Sequence, residues 1–333
     1  MKLRIAIIVL GIAICSGSTL GGNYAKRKEV QDFIESLCKS DGFDKTELTR
    51  LFSRVKYQQQ VVDAISRPAE KVLKWDDYQD IFLTRKRIAA GQKFLLNNRD
   101  ALVKAKNEYG VPPSVVASII GVETMYGRYR GSYRVIDSLS TLAFDYPPRA
   151  QFFRSQLRQF LLLAREEHRS PTEPLGSYAG AMGYGQFTPS SFREYAVDFD
   201  GDGERDIWND RADAIGSVAN YLARHGWREG QPITMRVEPS AQSGAIFTDA
   251  IRPSMTLGQL KSEGIATDVS MKDDTRVAPI LFEGKDGPEY WLGLHNFYVI
   301  TRYNHSKLYA MAVFQLSKRL EDFSATADNN TNP

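Results

Sequence analysis

The chain has 333 residues, enough for one large or two ordinary domains, and its apolar and charged fractions, 42% and 25%, are those of a globular protein. Its formal charge is +3, and a chain processed before Lys26 would lose Lys2 and Arg4 and carry +1. That balance gives no case for a nucleic-acid partner or for electrostatic docking on a membrane.

The opening "MKLRIAIIVLGIAICSGSTLGGNYAKRKEV" reads as a basic start, an apolar run from Ile5 to Cys15, and then small and polar residues. This is the pattern of an export signal, expected over residues 1–25. The apolar run falls short of the roughly 20 residues that span a bilayer. Ile12-Ala13-Ile14-Cys15 resembles a bacterial lipoprotein cleavage site, except that Ile14 is bulky where a small residue is expected. A plain signal and a lipoprotein signal ending at Cys15 therefore both stay open. The chain has two cysteines, Cys15 and Cys38, so loss or lipidation of the first leaves no disulfide. Such a chain is held by its core, and by a metal if one binds.

Residues 26–110 read as a charge-rich helical region. "VQDFIESLCKS" places Val30, Phe33, Ile34, Leu37 and Cys38 on one face, and "DKTELTRLFSRV" does the same with Leu48, Leu51, Phe52 and Val55. Gly110 is expected to close the helix "DALVKAKNEY", and Pro112-Pro113-Ser114 to open the next, since proline is tolerated in a first helical turn.

That next helix begins the catalytic core expected over residues 111–229. It is almost wholly apolar from Val115 to Val122 and then carries one acid, Glu123, ahead of Gly127, the expected C-cap. Burial and the negative end of the helix both disfavour a charged carboxylate there, so the sequence predicts a raised pKa for Glu123. An acid that keeps its proton near neutral pH can protonate a glycosidic leaving oxygen. A glutamate that turns outward, or pairs with Arg128 or Arg149, is the alternative.

A helix follows in "RAQFFRSQLRQFLLLAREE", and then the glycine-rich "SYAGAMGYGQFTPSSF". There Gly180, Gly183 and Gly185 let a backbone approach a ligand, and Gln186 can both donate and accept hydrogen bonds. The spacing is not that of a phosphate loop. A tight turn without function is the alternative, and Thr188-Pro189-Ser190 is expected to start a helix.

"DFDGDGERDIWND" places Asp198, Asp200, Asp202 and Asp206 at positions one, three, five and nine of an EF-hand-type loop, with Gly203 at position six and the Glu204 carbonyl at seven. Position twelve is Asn209 rather than the usual glutamate, with Asp210 as a substitute if the loop over 198–210 is one residue longer. Hard oxygen ligands favour a structural Ca²⁺; an acidic surface turn is the alternative. The helix "ADAIGSVANYLARHG" closes the core.

Residues 230–290 read as a small antiparallel β region. "ITMRV" alternates, "VAPILF" and "YWLGL" flank a turn, and Thr256 with Gln259 forms a capping-box pattern for a short helix in "TLGQL". "NFYVITRY", rich in β-branched and aromatic residues, is also read as strand. Residues 291–322 return to the core and end in the helix "SKLYAMAVFQLSKRL". "TRYNHSKLYAM" offers Tyr303, Asn304, His305 and Tyr309, aromatics with polar tips that suit sugar rings and equally finish a core. The polar residues 323–333 are expected to be disordered. The fold class is thus mainly α, of α+β type. No zinc spacing or nucleophile motif is present.

Together, "IIGVETMYGRYRG", "GAMGYGQFTPSSF", "DFDGDGERDIW", "DAIGSVANYLARHGW" and "TRYNHSKLYAMAV" closely resemble the membrane-bound lytic murein transglycosylase B family, in the same order from about Tyr78 to Val313. The resemblance implies a lysozyme-like core with an EF-hand-type loop and a peptidoglycan lytic transglycosylase that uses no organic cofactor. It puts the sole catalytic acid/base on Glu123 and lines the cleft with Gln186 and with Tyr78, Arg149, Ser177, Tyr221, Tyr303 and Tyr309. The metal ligands it implies are Asp198, Asp200, Asp202, Glu204, Asp206 and Asn209, but the sequence departs from the family pattern around Trp208 to Asp213. The implied partner is the peptidoglycan glycan strand in the periplasm, with outer-membrane attachment if Cys15 is lipidated, and with the cell-wall synthesis machinery as a further partner. A hydrolytic muramidase on the same scaffold and a non-catalytic peptidoglycan-binding protein are the rival readings.

Overall fold

The computed structural model describes residues 22–67, 73–240, 243–266 and 271–329. The expected export signal, up to residue 21 and including Cys15, and the last residues of the tail lie outside the described residues.

The chain begins with helices α1 (Lys28–Asp41), α2 (Lys45–Phe52), α3 (Gln59–Ser66), α4 (Trp75–Phe82), α5 (Arg85–Asn97) and α6 (Arg99–Tyr109). Helix α1 buries Val30, Ile34 and Leu37 and stops at Gly42, whose φ of 68° only glycine adopts freely. Phe33 and Phe52 from the first two helices meet Phe144 edge-to-face, with centroids 5.7 and 6.4 Å from it. Helix α6 ends at Gly110 with φ 69°, as expected.

Helix α7 (Pro113–Thr124) is the axis of the molecule and packs against α5, α6 and two later helices. Pro113 stands in its first turn, and ten of its twelve residues are buried. Burying its Val and Ile side chains stabilises the fold by about 1.5–3 kcal/mol each. Helices α8 (Val135–Asp145), α9 (Ala150–Glu166), α10 (Pro189–Tyr195) and α11 (Arg211–Arg224) follow. A two-stranded pairing of β1 (Tyr133–Arg134) with β2 (Leu175–Gly176) ties the α9–α10 connection back to the residues after α7.

The antiparallel sheet has strand order β3–β6–β5–β4, where β3 is Thr234–Val237, β4 Met255–Thr256, β5 Arg276–Gly284 and β6 Gly287–Gly293. Helix α12 (Leu257–Ser262) has the expected capping box, with Thr256 and Gln259 bonded reciprocally. This region owns a small apolar cluster of Val237, Phe247, Leu257, Leu260, Ile265, Val277, Leu292 and Leu294, apart from the main core.

Two expectations are corrected here. "NFYVITRY" is not strand but helix α13 (His295–Tyr303). Phe297, Ile300 and Thr301 fall at i, i+3 and i+4 and are buried together with Val299, and buried Asn296 clamps the backbone of Arg228 and Gln231. Packing has overridden strand propensity. Helix α14 (Lys307–Asn329) also runs into the stretch read as a disordered tail, since adding residues to an existing helix costs far less than starting one. The architecture is otherwise the expected one, mainly helical with small antiparallel sheets.

Candidate active site

Glu123 is the penultimate residue of α7 and is half-buried. The helix stops earlier than Gly127: Met125 and Tyr126 take φ of 53° and 59°, and Gly127 follows at 87°. Non-glycine residues in this left-handed region cost roughly 1–3 kcal/mol each, so something must hold them there. The half-buried Tyr126 ring is one restraint, because it fills the space left by Gly91 and Gly121, where an added Cβ would lie 2.2 and 2.6 Å from its hydroxyl. Thr124 is the other. Its hydroxyl donates to the Tyr184 carbonyl at 2.9 Å and accepts the Gly127 N–H at 2.9 Å, pinning the turn to the glycine-rich loop.

That loop brings a third non-glycine residue into the same backbone region, Gln186 at φ 51°. Its carboxamide donates to the Gly183 carbonyl at 3.0 Å and more weakly to that of Arg130 at 3.4 Å. The neighbouring Gly185 carbonyl accepts the Tyr303 hydroxyl at 2.6 Å. Gly185 cannot be larger, since a Cβ would sit 2.6 Å from that hydroxyl.

The C-terminal helices complete the group. Tyr309 on α14 donates its hydroxyl to Glu123 Oε1 at 2.8 Å. Its ring lies parallel to that of Tyr303, 5° apart in plane with centroids at 6.4 Å. Tyr221 on α11 packs on Tyr303 at 4.7 Å and donates to the Arg302 carbonyl at 2.6 Å. Burial first, and then the negative charge of Glu123, push both Tyr303 and Tyr309 well above the ordinary phenol range. They are therefore neutral donors at any physiological pH. Tyr78, buried against Phe82, lies near enough to Tyr309 to add to that shift.

The structure thus gathers Glu123, Gln186, Tyr78, Tyr221, Tyr303 and Tyr309 in one region. Arg149 and Ser177 have partners of their own: Arg149 is exposed at the start of α9 and stacks on Phe152 at 4.3 Å, and the Ser177 hydroxyl accepts the Ala179 and Ala181 N–H groups. Met125 and Tyr126 were missed by sequence reasoning, because nothing in their side chains announces a left-handed backbone.

The acidic loop lies between α10 and α11. Asp198, Asp200 and Asp202 are exposed, and each offers an oxygen within 4.8 Å of the others. The N–H of Gly203, and then those of Gly201 and Asp202, hold the Asp198 carboxyl below its usual range. The side chains of the next residues of the loop turn to other partners. The Glu204 side chain pairs with Arg169 at 3.1 Å, and Asp206 lies 3.3 Å from the same guanidinium and accepts the Asn209 carboxamide at 3.1 Å. The residue that closes the loop is Asp213, which the sequence reading did not choose. Buried on α11, it accepts the Phe199 N–H at 2.6 Å and the Asp206 N–H at 2.7 Å, and burial drives its carboxyl upward. One turn further along the helix, buried Ser217 accepts the Val197 N–H at 3.0 Å. Two polar residues four apart on the apolar face of α11 were the available signal.

Comparison with known proteins gives this geometry its context. The Transglycosylase SLT domain family matches residues 25–318. Membrane-bound lytic murein transglycosylase B of Escherichia coli (strain K12) is 39% identical over 308 residues, covering 90% of this chain and 84% of that one. The E. coli lytic transglycosylase Slt35, solved in complex with calcium, superposes with a TM-score of 0.83 at 39% identity, over 91% of this chain and 95% of that one. SltB3 from Pseudomonas aeruginosa, solved in complex with NAG-anhNAM-pentapeptide, superposes with a TM-score of 0.76 at 33% identity, over 88% and 79%. Among the described residues no helix is long and apolar enough to cross a membrane. On the domain match, the identity and the shared fold, the chain belongs to the SLT-domain transglycosylases and is a peptidoglycan lytic transglycosylase.

Proposed function

We propose that Glu123 acts first as acid and then as base in cleaving the β-1,4 bond between N-acetylmuramic acid and N-acetylglucosamine. The protonated carboxyl of Glu123 gives its proton to the glycosidic oxygen as the bond from that oxygen to the muramyl anomeric carbon breaks. The carbonyl oxygen of the substrate's own acetamido group stabilises the electron-poor carbon. The muramyl 6-hydroxyl oxygen then bonds to that carbon, its proton returns to Glu123, and a 1,6-anhydro ring closes without water.

The observation that carries this reading is the Tyr309 hydroxyl on Glu123 Oε1. It holds the carboxyl that passes the proton in one orientation. Burial and the end of α7 oppose charge on Glu123 while the Tyr309 donor favours it, a balance suited to a group that must both give and take a proton. Gln186, Tyr221, Tyr303 and Tyr78 line the cleft, and Arg149 and Ser177 meet the substrate farther from the bond that breaks. A relative bound to an anhydro-muramyl pentapeptide supports the product assignment. Mass spectrometry of digested peptidoglycan is the test: anhydro ends are expected, and reducing ends would make the enzyme a hydrolytic muramidase.

The loop carboxylates suit a hard cation. Asp198, Asp200 and Asp202 would hold Ca²⁺, with the Glu204 carbonyl, Asp206 and Asn209 completing the set after Asp206 leaves Arg169. A relative solved with calcium supports this. The ion would supply positive charge to an acidic loop, a structural role that involves no step of the cleavage. Action on glycan strands in the periplasm follows from the substrate, with lipid attachment through Cys15 and contact with wall-synthesis proteins as its extensions.

A further inference from the structure

Where the β region meets the start of α13, the surface encloses a cavity of about 670 Å³. Among the described residues Arg228, Arg252, Lys272 and Arg276 line it, with Asp274 as the one acid. A chain of formal charge +3 has no general surplus of cations to scatter, so four against one in a single hollow is a local feature. Two acids near them in sequence are engaged elsewhere: Asp273 pairs with Lys261 at 2.6 Å, and Asp249 pairs with Lys307. None of the four cations takes part in the ion pairs found among the described residues. A concave surface of one sign concentrates its field on a ligand of the opposite sign.

Two of the cations stand on fixed backbone. Arg228 is held at both N–H and carbonyl by the carboxamide of buried Asn296, at 2.9 and 2.8 Å. Arg276 is paired into the sheet opposite Thr256. Guanidinium forks so placed match carboxylates, which they can bind through two parallel hydrogen bonds. Tyr298 and Leu294 add apolar surface for the body of such a ligand. Helix α13 starts at this cavity and ends at Tyr303 in the catalytic group, nine residues or about 13 Å away.

We propose that the cavity binds the carboxylate-bearing peptide stem of peptidoglycan, as a second holding point outside the cleft. The proposal rests on the reading of the chain as a peptidoglycan lytic transglycosylase, whose polymer presents acidic peptides at this range from the cleaved bond. Its concave shape fits a compact peptide better than the flat face of a bilayer.

The test uses the whole protein and its Arg252→Glu/Arg276→Glu variant. Titration calorimetry with the free stem pentapeptide should show binding that weakens with salt and falls about tenfold or more in the variant. On intact sacculi the variant should raise KM severalfold with kcat unchanged, while glycan strands stripped of peptide are cut at the wild-type rate. That last measurement also shows the variant to be folded; if it is not, Arg252→Gln/Arg276→Gln should give the same losses in smaller measure. Equal pentapeptide affinity in wild type and variant would overturn the proposal, as would binding to phosphatidylglycerol vesicles without binding of the peptide. Reducing instead of anhydro ends would count against the reading of Glu123 alone, because the calorimetry involves no cleavage.

Discussion

Tyr309 and Glu123 are 186 residues apart in the chain and 2.8 Å apart in space, joined by a hydrogen bond from the phenol to Oε1. Replacing the carboxyl while keeping its shape isolates the proton. Glu123→Gln should lower turnover on purified peptidoglycan by about a thousandfold, the scale of general acid–base catalysis, with binding of glycan and thermal stability retained. A variant with near-normal release of muropeptides would remove Glu123 from the mechanism.

Removing the partner tests orientation instead. Tyr309→Phe leaves the ring packed on Tyr303 and deletes the donor to Oε1. Loss of alignment should reduce kcat by roughly ten- to a hundredfold with little change in KM. Steady-state kinetics on a soluble muropeptide oligomer would show it, and an unchanged kcat would mean that the phenol only packs.

Gly185 predicts a steric outcome. An alanine there places its Cβ 2.6 Å from the Tyr303 hydroxyl and 3.0 Å from Val218, so the phenol must leave the Gly185 carbonyl. Overpacking of this kind costs about 1–3 kcal/mol. Urea unfolding should report that loss for Gly185→Ala, together with reduced activity; Tyr303→Phe in the same background should recover part of the stability.

Calcium should stabilise the fold more than it speeds the reaction. At a concentration a hundred times Kd, an ion that binds only the folded chain adds about 2.7 kcal/mol, equivalent to roughly 5 °C in Tm. Calorimetric scans with calcium and with chelator should differ by about this much, and the difference should vanish in Asp200→Asn. Identical melting curves would leave the three exposed carboxylates as a surface turn.

Asp41 gives a prediction in pH. The Arg158 guanidinium holds its carboxyl below the usual range through bonds of 2.8 and 2.6 Å that join α1 to α9. A depressed folded pKa means that the stabilisation is complete above the unfolded value of about 3.9 and is lost as pH falls through the folded value. Arg158→Met should therefore cost about 1 kcal/mol at pH 7, a modest figure because the arginine is partly exposed. That difference from wild type should shrink toward zero in acid, as melting curves between pH 7 and 3 would reveal.

Much of the architecture was legible because it is written in local chemistry. Proline at the start of α7, Gly110 after α6 and the Thr256–Gln259 box each act within a few residues, and each appears in the structure. Glu123 stood out because its helix is otherwise apolar. The misread pieces depend on distant partners. Helix α13 exists because Asn296 and Phe297 meet buried neighbours, against the preference of its β-branched residues. The left-handed turn at Met125 and Tyr126 exists because Gly91 and Gly121 make room for a ring, and no inspection of Met125 alone discloses that. The role of Asp213 was hidden by counting within a twelve-position loop, whereas the loop is closed from the following helix.

The Glu123–Tyr309 contact also sets an order in time. A chain that has emerged only as far as α13 already contains the acid, the glutamine and three of the lining tyrosines, yet it lacks the hydroxyl that orients the acid. On the proposed mechanism, competence to cut the wall arrives with the final helix. A truncated or half-folded copy carries the warhead without its trigger.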